Sequence, residues 1–195
     1  MNLPNKITIS RICLIPVFVV AYYLTILPYN FVIASVIFAI ACVTDFLDGA
    51  IARKRNLVTS FGKFLDPIAD KVLVSTALII LLAPPVNVSA FALTEYSIPE
   101  FLPALFVSII LARELIISGF RLVAVQNGIV IAADKSGKLK TFFTDVALVW
   151  ILVFMNFDIA LLKLIGFILL GISTLLTIYS GVECIVKNKE VIKEN

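Results

Sequence analysis

The chain has no histidine, only one tryptophan, and three cysteines that stand singly in apolar stretches, Cys13, Cys42 and Cys184. Without histidine, Ser-His-Asp triads, phosphohistidine intermediates and imidazole-ligated metals are all excluded. With no CxxC pair, the cysteines read as core- or lipid-facing thiols and reveal little about redox compartment. Charge is scarce as well, at 15% of residues, against about 25% in a soluble domain. Hydrophobic residues make up 61% of the 195, and the mean hydropathy is +1.09. A soluble fold is therefore disfavoured. The apolar residues run in long unbroken stretches rather than alternating, which also disfavours an outer-membrane barrel. What remains is an all-α, polytopic membrane protein.

A helix crosses the ~30 Å hydrocarbon layer in roughly 20 residues. Six segments qualify as transmembrane helices: 12–27, 31–51, 67–82, 101–123, 141–157 and 159–185. The first is short and resembles the apolar part of a signal peptide. It is followed by Leu27-Pro28-Tyr29-Asn30, which offers no small-residue cleavage site, so it reads as a retained helix. Pro28 and the Pro84-Pro85 pair punctuate span ends.

Lysine and arginine set the orientation. They gather at Lys6 and Arg11, at Arg53, Lys54, Arg55 and Lys63, at Lys135, Lys138 and Lys140, and at Lys187, Lys189 and Lys193. The opposite side has only Lys163, and its longest loop carries Glu95 and Glu100. Both termini are thus expected on the cytoplasmic face of the cell membrane. Every connection is short, so residues 1–195 read as one integral membrane domain. Any chemistry belongs in the bundle or at its cytoplasmic mouth, and nucleic acid is not among the expected partners.

The second span ends with Asp45, Asp48, Gly49, Ala52 and Arg53, and the third opens with Gly62, Asp66 and Asp70. Asp45, Asp48, Gly49 and Ala52 follow i, i+3, i+4, i+7 and share a helix face; Gly62, Asp66 and Asp70 follow i, i+4, i+8 and share another. A short basic connection makes the two helices antiparallel neighbours, so four carboxylates can converge near the cytoplasmic boundary. Each carboxylate costs roughly 2.5–3.5 kcal/mol at mid-membrane, less near the interface, and clustered like charges repel. Two divalent cations would balance four carboxylates. Hard oxygen donors favour Mg²⁺, Mn²⁺ or Ca²⁺ over Zn²⁺, and a two-metal carboxylate site suits phosphoryl-type transfer. The small residues on the same faces leave room for a ligand against the backbone. The rival readings are surface pairing of Asp48 and Asp66 with Arg53 and Lys63, helix-packing glycines, and a cation or proton pathway. A transporter would need a route to the outer side, and the outer halves of the second and third spans carry no charge.

The spacing Asp45-x2-Asp48-Gly49-x2-Ala52-Arg53-x8-Gly62-x3-Asp66-x3-Asp70 resembles the signature of the CDP-alcohol phosphotransferase family at all eight positions. The opening Asn2-Leu-Pro-Asn5-Lys-Ile-Thr8-Ile-Ser-Arg11 is similar to members that make phosphatidylglycerophosphate. The resemblance implies an integral membrane enzyme that displaces CMP from a CDP-linked lipid, typically as a homodimer. It implies that Asp45, Asp48, Asp66 and Asp70 hold two divalent cations, Mg²⁺ or Mn²⁺, on the diphosphate, with Asp70 also acting as general base. It further implies that Gly49, Ala52, Arg53 and Gly62, with Asn5 and Thr8, contact the cytidine diphosphate of CDP-diacylglycerol.

For the acceptor, the fourth span carries Arg113, Glu114, Ser118 and Arg121. A lipid-facing arginine is costly, so Arg113 is expected to point into the bundle. The connection that follows holds Lys135, Ser136, Gly137, Lys138 and Lys140, a composition that suits a phosphate as well as an ordinary positive-inside loop. This run also resembles the glycerophosphate-using branch. Arg113, Arg121, Lys135, Ser136, Lys138 and Lys140 are therefore candidate ligands for the phosphate of glycerol 3-phosphate, with inositol phosphate as the alternative acceptor of the same charge logic. Lys71 points about 100° away from Asp70 on a helical projection and reads as an interfacial charge, with a role in the site as the lesser alternative. Asp145 either orients a cationic side chain of the pocket or meets a helix N-terminal dipole. Trp150 and Tyr179 read as packing or belt residues.

Overall fold

The computed structural model describes the backbone of residues 3–54, 60–85, 90–91, 98–99, 101–129, 131, 134–157 and 159–192; within these, the side chains of residues 3–7, 45–54, 60–64, 66 and 192 are outside the description. Among the described residues there are six α-helices and no strand: α1 Leu3–Tyr23, α2 Asn30–Lys54, α3 Ser60–Leu82, α4 Phe101–Gln126, α5 Lys135–Phe154 and α6 Ala160–Lys187. A 3₁₀ turn, Lys189–Ile192, follows α6.

Each expected span lies in one of these helices, but the ends differ. α1 begins at Leu3 rather than residue 12 and ends at Tyr23 rather than 27. α3 begins at Ser60, ahead of Pro67. α5 begins at Lys135 and ends at Phe154, where residues 141 and 157 were expected. Where a helix starts early, hydropathy marks only its apolar part while backbone hydrogen bonding includes the polar turns before it; where one stops early, at Tyr23 and Phe154, the apolar run continues into the turn that follows. The lysine-rich stretch read as a loop is the opening of α5.

Local chemistry explains several termini. After α4, Ile129 N–H bonds to Ala124 C=O at 2.8 Å and Gly128 N–H to Val125 C=O at 3.0 Å. That is a Schellman closure, and Gly128 supplies its positive φ of 72°. Between α1 and α2, Tyr29 turns the chain with φ 59°, and the Asn30 side-chain amide donates to Tyr22 C=O at 2.6 Å.

α1 packs on α2 and α3, α5 packs on α6 and α2, and α4 packs on α6. The shared core includes Phe18, Tyr22, Phe38, Leu78, Leu148 and Leu170. Tyr22 Oη donates to Ile80 C=O at 3.1 Å, which satisfies its hydroxyl inside the apolar interior. Close helix contact depends on Gly166, where an added Cβ would lie 2.8 Å from Ile151 Cγ1.

The outer surface is apolar too, with Val20, Val36, Ile79, Leu115 and Leu175 all exposed. α4 and α6 are long and apolar enough to cross a bilayer. Only 22% and 39% of their apolar stretches is buried, so neither is a buried core helix of the soluble kind. Continuous apolar exposure of this extent belongs to a protein solvated by lipid.

Candidate active site

A small cavity of about 40 Å³ lies between α3, α4 and α5. Val74, Leu78, Ile110 and Leu111 make its apolar wall, and Asp70, Lys71, Glu114, Lys140, Thr141 and Asp145 supply the charged and polar groups. The arrangement follows from the helices: α3 contributes the consecutive pair Asp70 and Lys71, α4 contributes Glu114 a turn above Ile110, and α5 contributes Lys140 and Asp145.

Glu114 is the hub. Its Oε1 accepts from Lys140 Nζ and from Arg113 Nη1, the latter at 3.1 Å. Arg113 reaches across to α6, where Nη2 donates to Ser180 Oγ at 2.9 Å. The aliphatic stem of Arg113 packs on Gly181, where an added Cβ would sit 3.1 Å from Arg113 Cγ. Arg113 is thus interior, where a charged group must be paired. On the same helix, Ser118 Oγ donates to Glu114 C=O and accepts from Lys71 Nζ, tying α3 to α4. Deeper in the bundle, Thr144 and Ser173 bond across α5 and α6 at 2.6 Å.

Lys71 therefore departs from the reading as an interfacial charge: its ammonium turns to the cavity wall beside Asp70. A helical projection treats a side chain as a radial spoke, but a four-carbon stem can swing well away from its Cα direction. Asp145 also departs from one of its two readings. It lies about three turns into α5, beyond the first turn where the helix dipole acts, and it lines the cavity.

The other candidates are distributed unevenly. Lys140 is buried against Glu114. Ser136 donates to Glu183 Oε2 at the α5–α6 contact, where Lys187 Nζ also holds Glu183 at 2.6 Å. Lys135, Lys138 and Arg121 are exposed and do not line the cavity. Thr8 is buried on α1. Asp70 is half-buried. Asp45, Asp48, Gly49, Ala52 and Arg53 lie on α2, and Gly62 and Asp66 on α3, but their side chains, like that of Asn5, are outside the described residues.

Sequence reasoning passed over Arg11, which it counted only as a topology charge and which is fully buried on α1. The signal was its spacing three residues after Thr8, which puts both on one face. Glu114 was also left out of the candidate ligands, although its i, i+4 relation to Ser118 puts the two on one helix face.

A second hollow, almost wholly apolar, runs along the α2–α5 surface past Ala39, Cys42, Val43, Val146, Val149 and Trp150. Asp145 borders both it and the polar cavity. Asp145 thus stands between a charged cavity and an apolar groove.

Residues 1–179 match the family described as CDP-alcohol phosphatidyltransferase. The chain belongs to that family. Among curated relatives, it is 39% identical over 204 residues to the CDP-diacylglycerol–glycerol-3-phosphate 3-phosphatidyltransferase of Bacillus subtilis (strain 168), covering 98% of this chain and 97% of the relative. It is 40% identical to the protein of the same name from Rickettsia bellii (strain RML369-C), covering 92% and 91%. Over a shorter stretch of 123 residues it is 43% identical to the one from Pseudomonas fluorescens, covering 62% and 55%.

Proposed function

We propose that this chain is a phosphatidylglycerophosphate synthase: it transfers the phosphatidyl group of CDP-diacylglycerol to glycerol 3-phosphate and releases CMP. The observation that carries this reading is the agreement in name of full-length relatives at about 40% identity, joined to a cavity in which Asp70 stands with Lys140. The acceptor hydroxyl attacks the phosphatidyl phosphorus, a new P–O bond forms, the P–O bond to CMP breaks, and the acceptor's proton passes to Asp70. A hydroxyl is a weak nucleophile at neutral pH, so a positioned carboxylate lowers the barrier. Direct attack is favoured over a covalent enzyme intermediate, because the motif carries no Ser, Cys or His.

Asp45, Asp48, Asp66 and Asp70 would hold two divalent cations, Mg²⁺ or Mn²⁺. The donor set fits: all are hard oxygen ligands, α2 and α3 pack together, and Asp70 faces a polar cavity. When bound, such ions neutralise a diphosphate and ease departure of the nucleotide. Gly49, Ala52, Arg53 and Gly62, with Asn5 and Thr8, are the proposed contacts of the CDP head. Of the six acceptor candidates, Lys140 has the strongest support, since it lines the cavity, and Arg113 shares its carboxylate partner Glu114. Arg121, Lys135 and Lys138 suit a role in drawing anions toward the cytoplasmic mouth.

All six helices span the cell membrane in this reading, as one domain with both termini in the cytoplasm, and the enzyme works as a homodimer. The donor's acyl chains stay in the bilayer along the apolar groove while glycerol 3-phosphate enters from water. The deciding experiment incubates purified protein with CDP-diacylglycerol, Mg²⁺ or Mn²⁺, and each acceptor in turn, and measures CMP. Release with glycerol 3-phosphate is expected; preference for inositol phosphate, or no release with any acceptor, would reject the assignment.

A further inference from the structure

We propose that Lys71 is a phosphate-binding residue of the cavity, its ammonium parked on Ser118 until a substrate phosphate oxygen takes it. The inference rests on the transferase reading above and extends it to a residue outside the family signature.

The cations around the cavity are not alike. Lys140 and Arg113 are both salt-bridged to one carboxylate oxygen of Glu114, a single negative charge between two cations. The hydrogen-bond partner of Lys71 among the described residues is a hydroxyl, Ser118 Oγ, which carries no charge. Ser118 spends its own proton on Glu114 C=O, so its lone pair faces the ammonium and holds it in one place. A half-buried ammonium is only partly hydrated, and this one is held by a hydroxyl in a cavity that Asp70, Glu114 and Asp145 also line. Desolvation makes that unfavourable by itself, and an arriving oxyanion relieves it. Charge-assisted bonds from ammonium to phosphate are stronger than the hydroxyl bond they would replace.

Position supports the assignment. Lys71 follows Asp70, so their Cα atoms are about 3.8 Å apart, and both side chains line the same space. A lysine serving only the membrane interface would extend along the helix toward the headgroups; this one crosses to α4. Two phosphates can meet it: the donor's diphosphate and the acceptor's monoester. Both present the same oxyanion.

The test uses full-length protein in detergent or nanodiscs. Lys71→Gln retains a donor for Ser118 and removes the charge, whereas Lys71→Arg retains the charge. Steady-state CMP release gives KM for each substrate, and inorganic phosphate serves as a competing anion. We expect Lys71→Gln to raise the KM of one substrate about tenfold or more and to weaken phosphate inhibition in parallel, with Lys71→Arg within about threefold of wild type. The substrate whose KM moves identifies the phosphate held. If Lys71→Gln leaves both KM values and phosphate inhibition within about twofold, the inference is overturned, even where kcat falls. If wild-type protein releases no CMP with any acceptor, the transferase reading fails instead. The inference is then judged by inorganic phosphate binding in calorimetry: weaker binding by Lys71→Gln supports it and equal binding overturns it. Should Lys71→Gln not fold, Ser118→Ala, which frees the ammonium, is read by the same KM and phosphate measurements.

Discussion

Lys140, in the second turn of α5, and Arg113, in the middle of α4, converge on a single oxygen of Glu114. One carboxylate thereby sets the position of two cations that belong to different helices, and Arg113 extends the link to Ser180 on α6. Removing Glu114 leaves both cations without their shared carboxylate, with Arg113 still held by Ser180. Exposed ion pairs contribute about 0–1 kcal/mol, while breaking a buried one costs about 3–5 kcal/mol. With side-chain exposures of 9%, 14% and 20% for Lys140, Arg113 and Glu114, this cluster lies between those limits. Glu114→Ala should therefore destabilise by about 1–3 kcal/mol and lower kcat/KM for glycerol 3-phosphate. Thermal melting in detergent together with acceptor kinetics checks both. An unchanged Tm with unchanged kinetics would remove Glu114 from its organising role.

Arg113→Ala should raise KM for glycerol 3-phosphate by about tenfold or more while leaving the apparent affinity for CDP-diacylglycerol within about threefold. Arg113→Lys should not rescue it fully, since Arg113 uses two different nitrogens, Nη1 toward Glu114 and Nη2 toward Ser180, and a lysine offers one compact ammonium. Initial rates across an acceptor series at saturating donor give the answer. An unaltered acceptor KM in Arg113→Ala would count against the acceptor-site assignment.

Asp70→Asn preserves size and removes the carboxylate proposed as the base. Turnover should fall by about 10² or more, the usual span of a lost general base, while binding of CDP-diacylglycerol in the presence of Mg²⁺ is partly retained. CMP release and equilibrium binding of the nucleotide lipid are measured on the same preparation. Residual activity above a few per cent would assign the proton to another group.

The helices were legible in the sequence because apolar runs as long as the hydrocarbon layer are hard to mistake. The inward course of Arg113 was legible for an energetic reason, the cost of a charge in lipid. What escaped was set by side-chain length and by three-dimensional neighbours. Lys71 was misdirected because a projection ignores the reach of its stem. Arg11 was absorbed into a charge count, which says on which side of a membrane a residue stands but not whether it is buried. Lys135 to Lys140 read as a loop because no apolar periodicity marks a helical turn outside the hydrocarbon; the helix is held there by Ser136 on Glu183 and Lys140 on Glu114.

Helix packing makes a prediction independent of catalysis. At Gly166 an added Cβ would meet Ile151 Cγ1 at 2.8 Å and Trp150 Cδ1 at 3.3 Å. Trp150 cannot yield freely, since its Nε1 donates to Leu162 C=O at 3.0 Å. Gly166→Ala should cost about 1–3 kcal/mol through overpacking. Gly171→Ala meets only Phe106 at 3.5 Å and should be tolerated. Comparing the melting of the two variants controls for the generic effect of replacing a helical glycine. Equal Tm values would mean that α5 and α6 do not approach as closely as described.

The apolar groove beside Asp145 gives the last test, which separates lipid binding from headgroup chemistry. Val146 and Val149 stand on its α5 side, facing Ala39 and Val43 of α2. Val146→Trp would fill part of the groove with a rigid ring while leaving the polar lining of the neighbouring cavity, Asp70, Glu114 and Lys140, in place. If acyl chains lie there, the variant should lose activity on long-chain CDP-diacylglycerol and retain it on a short-chain, water-dispersed analogue that leaves the groove largely empty. Loss of buried chain contact at ~0.8 kcal/mol per methylene makes a severalfold rise in KM the expected scale for the long-chain donor. The acceptor KM should not move, because none of the groups proposed to hold the acceptor phosphate is altered. Equal losses on both donors would place the acyl chains elsewhere on the bundle, without touching the assignment of the charged cavity.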